Sequence, residues 1–312
     1  MKHQQKKVFE MIPYCVRAMI MLGFLGLVWG NPALVAGGTQ EVPAAESPQI
    51  LWKVQSPQNA IFLAGSIHVL QEHHYPLHNA FDDAFKKSSR VMFEVDLDGQ
   101  SSPLAQMNML RKGLYLNGET LPNVLSSGSY ATAKANMTEL GMHIEDFHRM
   151  KPWMAATAVM ALELQKLGFE SAYGVDRHFF EKAQAAGKDI QGLETVEFQL
   201  DLFDQLPLLI QEQFLLQTLE DLKTLDTQVS EMVKAWKHGD IQALEELLVG
   251  MRKYPELNQV LVVNRNNNWL PHIEQALQEK EPVFIVVGAL HLLGNEGLIA
   301  LLKEKGYRVE QL

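Results

Sequence analysis

Short apolar runs alternate with longer segments of helical pattern along most of the chain, and they predict a buried sheet. The runs are Ala60–Ser66, Arg90–Val95, Asp189–Leu193 and Pro282–Gly288. Almost continuous apolar runs bounded by turn signals are typical of strands that are covered on both faces. A fifth run, Leu51–Gln55, is predicted to pair with the first as a hairpin, because residues 56–59 (SPQN) are turn-like.

The segments between these runs carry helical periodicity. Five helices are predicted, over Leu77–Ser88, Lys151–Leu167, Val175–Ala186, Pro271–Lys280 and Gly294–Lys305. Buried strands separated by helices predict an α/β fold with a largely parallel central sheet flanked by helices. Residues from about 100 to 150 and from 197 to 260 are predicted to be helical insertions that form a cap, and residues 307–311 an edge strand.

The N-terminal residues have the pattern of a secretory signal peptide. Three lysines precede an apolar stretch over Ala18–Trp29, and small residues follow around Ala36. This stretch is short for a membrane-spanning helix of about 20 residues, which disfavours an uncleaved anchor. The pattern predicts a signal peptide over residues 1–36, a linker over 37–49 and an α/β domain over 50–312. It also predicts export to the periplasm or secretion, with no stable membrane span after cleavage.

Composition narrows the classes of partner. The chain of 312 residues has a formal net charge of −10, and this balance disfavours nucleic acid, whose phosphates require clustered Lys and Arg. Cys15, the single cysteine, lies within the predicted signal peptide. We therefore expect the exported protein to have no disulfides and no thiol chemistry, and to depend on its core for stability.

The candidate chemistry lies where the predicted strands end. His68 follows the first core strand, Glu94 ends the second, Glu194 follows the third, and His291 follows the last. In open α/β sheets the functional crevice lies outside the carboxyl ends of the strands. Two imidazoles and two carboxylates at one edge suit a divalent-metal site, or an acid/base pair with orienting groups.

Both histidines follow a glycine by three residues, in GSIH at 65–68 and GALH at 288–291. A glycine inside a strand pattern indicates a close approach of other atoms to the backbone. Either histidine alone would be interpreted as a core side chain satisfied by backbone groups. The repetition of the pattern at the ends of two apolar strands favours the functional interpretation.

An arginine interrupts the helix-like apolar pattern of residues 260–269 (VLVVNRNNNW). The Arg265 guanidinium offers a rigid fork for a carboxylate, a phosphate or a developing oxyanion. This stretch by itself favours a solvent-facing arginine.

The set of motifs resembles the TraB/GumN family, whose animal relatives include the Tiki-type proteases. The matching segments, in family order, are GSIH at 65–68, FEVD at 93–96, YGVD at 173–176, GLET with VEFQ at 192–199, NRN at 264–266 and GALHLLGNEGL at 288–298. The resemblance implies an α/β core shared with erythromycin-esterase and ChaN-like proteins. It also implies a metal-dependent hydrolase site, which by position contains His68, Glu94, Arg265, Asn266 and His291, with Glu194 in the GLET motif.

Tiki-type members resemble peptidases that use manganese or cobalt, and this implies a mechanism. His68, His291 and one carboxylate, Glu94 in the first instance, would hold manganese, cobalt or zinc. Glu94 or Glu194 would take a proton from water, and Arg265, beside Asn266, would stabilise the oxyanion of a peptide or small-molecule substrate. Two alternatives stay open: a metal-independent, esterase-like hydrolase with His68 as the base, and a non-enzymatic binding protein for peptide, haem or metal.

Overall fold

The computed structural model describes residues 48–100, 102–251 and 255–312. The predicted signal peptide and all but the end of the predicted linker lie outside these ranges. Gln49, the last residue of that linker, is buried, and its backbone N–H donates to the Leu312 carbonyl. Among the described residues, none of the helices combines the length and the apolar character needed to cross a membrane.

Six strands form one mixed sheet in the order β4-β3-β5-β2-β1-β6. The strands are β1 Leu51–Gln55, β2 Ala60–Ser66, β3 Arg90–Phe93, β4 Asp189–Gly192, β5 Val283–Gly288 and β6 Arg308–Gln311. The first four in sheet order are mutually parallel, and β1 pairs antiparallel with both β2 and β6. The predicted α/β class, hairpin and edge strand are thereby confirmed.

The helices cover the sheet and build the segments between its strands. They are α1 Asn79–Lys87, α2 Leu97–Gln100, α3 Pro103–Gly113, α4 Leu121–Val124, α5 Ser127–Glu139, α6 Pro152–Lys166, α7 Val175–Ala185, α8 Val196–Asp204, α9 Leu208–Asp221, α10 Leu225–Lys237, α11 Ile241–Met251, α12 Pro255–Asn258, α13 Asn264–Ala276, α14 Ala289–Leu292 and α15 Leu298–Glu304. Helices α2–α5 and α8–α12 lie in the two stretches that were predicted to be insertions.

The largest differences from the predicted helix boundaries are in α13 and α15. Helix α13 begins at Asn264 and runs through Pro271, whereas Pro271 was predicted to begin a helix. A proline inside a helix lacks the N–H for the bond to residue i−4, so it usually marks a boundary, and tertiary packing overrides it here. The predicted helix from Gly294 is shorter and begins at Leu298, with Gly297 as its N-cap.

The sheet core places the carboxyl ends of four parallel strands side by side. Strand β5 is buried along its whole length and lies between β2 and β3, with Gly288 paired to Ser66 and Val286 to Phe93. Strand β4 pairs with β3 through Gly192 and Phe93. Because the four strands run in one direction and in register, the residues that follow them meet at one edge.

Gly65 shows why a glycine precedes His68. A Cβ atom at this position would lie 2.4 Å from Ile50 Cγ2 and 3.0 Å from the Ala289 Cα atom. We therefore expect Gly65→Ala to lower the free energy of unfolding by about 1–3 kcal/mol, because the packed core cannot move aside without strain. Urea denaturation checks this. Gly128→Ala, on a helical glycine with nothing within 4 Å of the added carbon, is the control and should be neutral or stabilising.

Candidate active site

The six residues singled out from the sequence lie together at the carboxyl edge of the sheet. His68, Glu94 and Glu194 follow β2, β3 and β4, and His291 lies in α14 directly after β5. Helix α13 adds the other two residues, Arg265 and Asn266, both fully buried. Within α13 the buried positions alternate with exposed asparagines, and a π-helical turn over Gln259–Val263 precedes it. Such turns are frequent at functional sites.

Arg265 joins the two glutamates. Its Nη2 atom lies 2.5 Å from Glu94 Oε2 and 2.7 Å from Glu194 Oε1, and its Nε atom donates to Glu194 at 3.0 Å. The bidentate contact with Glu194 uses the planar fork of the guanidinium, which a lysine cannot reproduce. The prediction of a solvent-facing arginine from the local pattern is therefore wrong, because two carboxylates from distant strands compensate its buried charge.

Two further side chains complete this network. Gln199 on α8 donates from Nε2 to Glu194 Oε1 at 2.8 Å and to Glu94 Oε2 at 3.3 Å. Trp269, one helical turn after Arg265, donates from its indole N–H to Glu194 Oε2 at 2.9 Å. Both oxygens of Glu194 thus accept hydrogen bonds from protein groups. This carboxylate holds Arg265 in place and has no oxygen directed at either histidine in the contacts described.

The tautomer of His291 follows from its neighbours. Arg265 Nη1 lies 2.9 Å from His291 Nε2, and since arginine is only a donor, Nε2 must accept. His291 Nδ1 then carries the hydrogen and donates to Asn266 Oδ1 at 2.7 Å. The amide nitrogen of Asn266 donates to the carbonyls of His291 and Glu296, which fixes the orientation of that amide. His291 is therefore a neutral imidazole whose Nε2 lone pair faces the interior of the site.

His68 is oriented by an aspartate that was not among the candidate residues. Its Nδ1 atom lies 2.9 Å from Asp176 Oδ1, and its Nε2 atom lies 3.3 Å from Ser66 Oγ. Asp176 is in the first turn of α7, and Gly174 lets this helix approach, since a Cβ there would lie 2.4 Å from the His68 carbonyl oxygen. Both imidazoles thus have Nδ1 beside an oxygen acceptor and Nε2 directed inward.

The two histidines have opposite electrostatic environments. Burial lowers the pKa of His291, and the positive charge of Arg265 lowers it further, to well below its usual value. Burial also acts to lower the pKa of His68, but Asp176 and Glu94 outweigh this effect and raise it. Burial raises the pKa of Glu94, and Arg265 and His68 offset only part of this rise. The pKa values of His68 and Glu94 are therefore both raised, whereas the pKa of His291 is lowered.

A cavity of about 20 Å³ lies among these groups. Its polar lining comes from His68, Glu94, Asp176 and Gln199, and Gln100 on α2 contributes to it as well. A buried water requires about 10–15 Å³ and two or more polar partners, so the cavity has room for one water. It has no room for a peptide, so a substrate needs the covering side chains to move.

The donors present match a divalent cation in type, but their spacing is wide and the His291 Nε2 lone pair accepts a hydrogen bond from Arg265. His68 Nε2 and His291 Nε2 lie 3.8 Å and 4.0 Å from the same atom, Glu94 Oε1. Nitrogen and oxygen ligands of one zinc ion, each about 2.1 Å from it, lie roughly 3.4 Å apart. Within the described residues no group of three His, Cys, Asp or Glu side chains has ligand spacing. A bound ion would draw the three groups together and displace Arg265 Nη1 from His291.

Three residues of the site were missed as candidates: Asp176, Gln199 and Trp269. Asp176 and Gln199 lie in the YGVD and VEFQ segments that carry the family resemblance, but no local pattern assigned them a role. Trp269 could have been found from its i,i+4 spacing to Arg265, which places both on one face of a helix.

The fold and site together define an α/β protein with buried histidine, glutamate and arginine side chains at the carboxyl edge of a parallel sheet. The family model described as the TraB/PrgY/gumN family matches residues 50–311. The chain belongs to this family, as its motifs predicted.

Individual relatives are more distant. The chain is 26% identical to YbaP of Escherichia coli (strain K12) over 252 residues, which cover 79% of this chain and 89% of that protein. It is 22% identical to Metalloprotease TIKI2 of Danio rerio over 314 aligned residues, which cover 83% of this chain and 60% of that protein. Metalloprotease TIKI1 of the same species is also 22% identical, with 90% and 66% covered. No solved structure matches the chain.

Proposed function

We propose that this protein is a metal-dependent hydrolase that cleaves peptide bonds, with His68, Glu94 and His291 as the residues that would hold the ion. One observation carries the proposal. The Nε2 atoms of two histidines from distant strands face the same carboxylate oxygen, and each ring has Nδ1 beside an oxygen acceptor. Histidine ligands of metals typically have this outer contact, which orients the ring and makes it a better ligand.

The charge of the site supports a divalent cation. Glu94 and Glu194 contact Arg265, and Asp176 contacts His68, so three carboxylates face one guanidinium charge and leave two negative charges when all are ionised and the histidines are neutral. Buried uncompensated charge is unfavourable. The negative charges of Asp176 and Glu94 also raise the pKa of His68, so that a proton on this imidazole can supply part of the missing positive charge. A divalent cation would supply both charges at once.

The residues of the site have distinct parts in this proposal. A divalent ion supplies Lewis acidity that polarises a carbonyl group or a water molecule. Glu94 uses Oε2 for Arg265 and Gln199, while Oε1 accepts the Gly288 N–H at 2.7 Å and faces both histidines. Oε1 is therefore the atom that would bind the ion or take a proton from water. Arg265, held by Glu194, offers positive charge to a developing oxyanion.

Other observations support the proposed peptide substrate and the proposed export. The similarity to a relative named a metalloprotease supports a peptide substrate. The lysines, apolar stretch and small residues within residues 1–36 support export to the periplasm or the exterior.

A second hydrolase mechanism needs no ion. Arg265 Nη1 already lies on His291 Nε2, the cavity beside His68 accommodates one water, and Asp176 raises the pKa of His68. In this alternative His68 Nε2 takes the proton of that water, and Asp176 stabilises the imidazolium formed. Glu94 and Arg265 would then act only on the substrate.

Metal analysis of the purified protein separates these mechanisms. After loading with manganese, cobalt or zinc and removal of free ion, the wild type should retain one ion per chain. His68→Ala and His291→Ala should each lose it, because each removes a ligand, whereas the exposed-site control His143→Ala should retain it. A folded wild type that retains no ion contradicts the metal proposal. Peptide-library cleavage by that metal-free protein would establish the second mechanism, and tight binding without cleavage would establish a binding protein.

A further inference from the structure

A cleft lies outside the buried site, between helices that also contribute residues to that site. It has a volume of about 1100 Å³, slightly above the range of about 300–1,000 Å³ that is usual for ligand sites. One wall comes from α8 and the loop that follows it, and the other from α12, the π-helical turn and α13. These helices also carry Gln199, Arg265 and Trp269.

One wall of the cleft is a row of carboxamides. Asn264, Asn267 and Asn268 are exposed on α13 at helical spacing and interleave with the buried Arg265 and Asn266. Gln259 extends the row by donating from Nε2 to Asn264 Oδ1 at 2.7 Å. Each carboxamide has hydrogen-bond donors and an acceptor, which complement the C=O and N–H groups of a peptide backbone. A wall of this composition recognises amide groups in preference to charged ones.

The spacing of the row suits an extended chain. Asn264 and Asn268 are separated by about 6 Å along the helix axis, since each helical residue rises about 1.5 Å. Residues i and i+2 of an extended strand, which face the same side, are separated by about 6.6–6.8 Å. Two carboxamides four residues apart on α13 can therefore contact successive same-side peptide groups.

The opposite wall and the charges favour the same occupant. Phe198, Leu202 and Leu206 provide apolar surface for side chains. Glu256 lines the cleft, and so does Asp201, which is ion-paired with Lys112; no Lys or Arg is among the described lining residues of the cleft. An anionic ligand is therefore disfavoured, and a neutral or basic peptide is favoured over an acidic one.

We propose that this cleft, between α8 on one side and the turn–α13 segment on the other, binds an extended, non-acidic peptide segment beside the bond to be cleaved. The role of the cleft in cleavage rests on the proposed peptidase function. Peptide binding to the cleft can be measured without turnover. Gln199 follows Phe198 directly, and Arg265 follows Asn264 directly, so the same two helices contact the peptide and the reacting groups.

The test compares two double variants in a Glu94→Gln background, where bound peptides are not consumed. Asn264→Ala with Asn268→Ala removes two carboxamides from the cleft. The matched control, Asn108→Ala with Asn117→Ala, removes two carboxamides that do not line the cleft. The probes are a pool of terminally blocked, non-acidic peptides of random sequence and a pool of linear oligosaccharides. Retention of each pool is measured by equilibrium dialysis and mass spectrometry.

We expect the cleft variant to bind the peptide pool about ten-fold more weakly than its background, because two hydrogen-bonding groups are lost, and the control to bind it unchanged. Equal retention by the cleft variant, retention of oligosaccharides in place of peptides, or no retention of either pool would each overturn the proposal. Failure of the peptidase function has a different signature. In that case the wild type cleaves no peptide, while the cleft-dependent binding persists.

Discussion

Replacing Arg265 with methionine is expected to lower the free energy of unfolding by about 3–5 kcal/mol. The guanidinium is fully buried and compensates Glu94 and Glu194, whose side chains are only 5% and 6% exposed. Without it, two buried carboxylates lie near each other with only the Gln199, Trp269 and Gly288 donors to satisfy them. Urea denaturation followed by circular dichroism measures the change.

The matched control for this variant is Arg90→Met. Arg90 pairs with Glu279 at 2.8 Å near the surface, where an ion pair contributes at most about 1 kcal/mol. Arg265→Lys keeps the charge but not the planar fork, so its stability should lie between those of the wild type and Arg265→Met. If Arg265→Met is as stable as Arg90→Met, the guanidinium does not stabilise the two carboxylates as described.

Replacing Glu94 with glutamine is expected to reduce peptide hydrolysis by a factor of about 10²–10⁴, the usual contribution of a positioned acid or base. The amide cannot take a proton from water, and its nitrogen is a poor ligand for a metal ion. It also places a donor opposite donors, since Glu94 Oε2 accepts from Arg265 and Gln199. New peptide ends in a peptide library, detected by mass spectrometry, measure the rate.

The control for this second variant is Glu197→Gln, which makes the same chemical change on the outer face of α8. The Glu197 side chain is 58% exposed and lies 3.9 Å from Lys112. Its removal should leave hydrolysis unchanged. If the Glu94→Gln variant hydrolyses peptides at the wild-type rate, Glu94 does not have the proposed role in hydrolysis. Loss of hydrolysis with peptide binding retained distinguishes a catalytic group from one that only binds substrate.

Local patterns predicted the strands well because buried strands have a simple composition. The bounds of β1 and β2 were predicted to the residue, and β3, β4 and β5 differ only at their ends. Helix ends were harder to predict, as at Pro271 and Gly294. A helix boundary depends on caps and on packing partners that lie far away in sequence.

The convergence of the site residues was predictable from topology. Parallel strands in register bring their carboxyl ends to one edge, so His68, Glu94 and His291 could be expected to meet. The local environment of each residue was less predictable. The local stretch by itself favoured a solvent-facing Arg265, whereas Glu94 and Glu194, which follow strands far away in sequence, make its burial favourable.

The sequence by itself determined the α/β class, the sheet edge at which the candidate site lies, and the histidines and carboxylates at that edge. These features follow from periodicity and strand direction, which short segments encode. Only the tertiary structure decided that Asp176 orients His68, that Asn266 and Arg265 fix the tautomer of His291, and that Glu194 holds Arg265. Each of these contacts joins residues that are distant along the chain, and hydrogen-bond geometry depends on tenths of an ångström that no local pattern specifies.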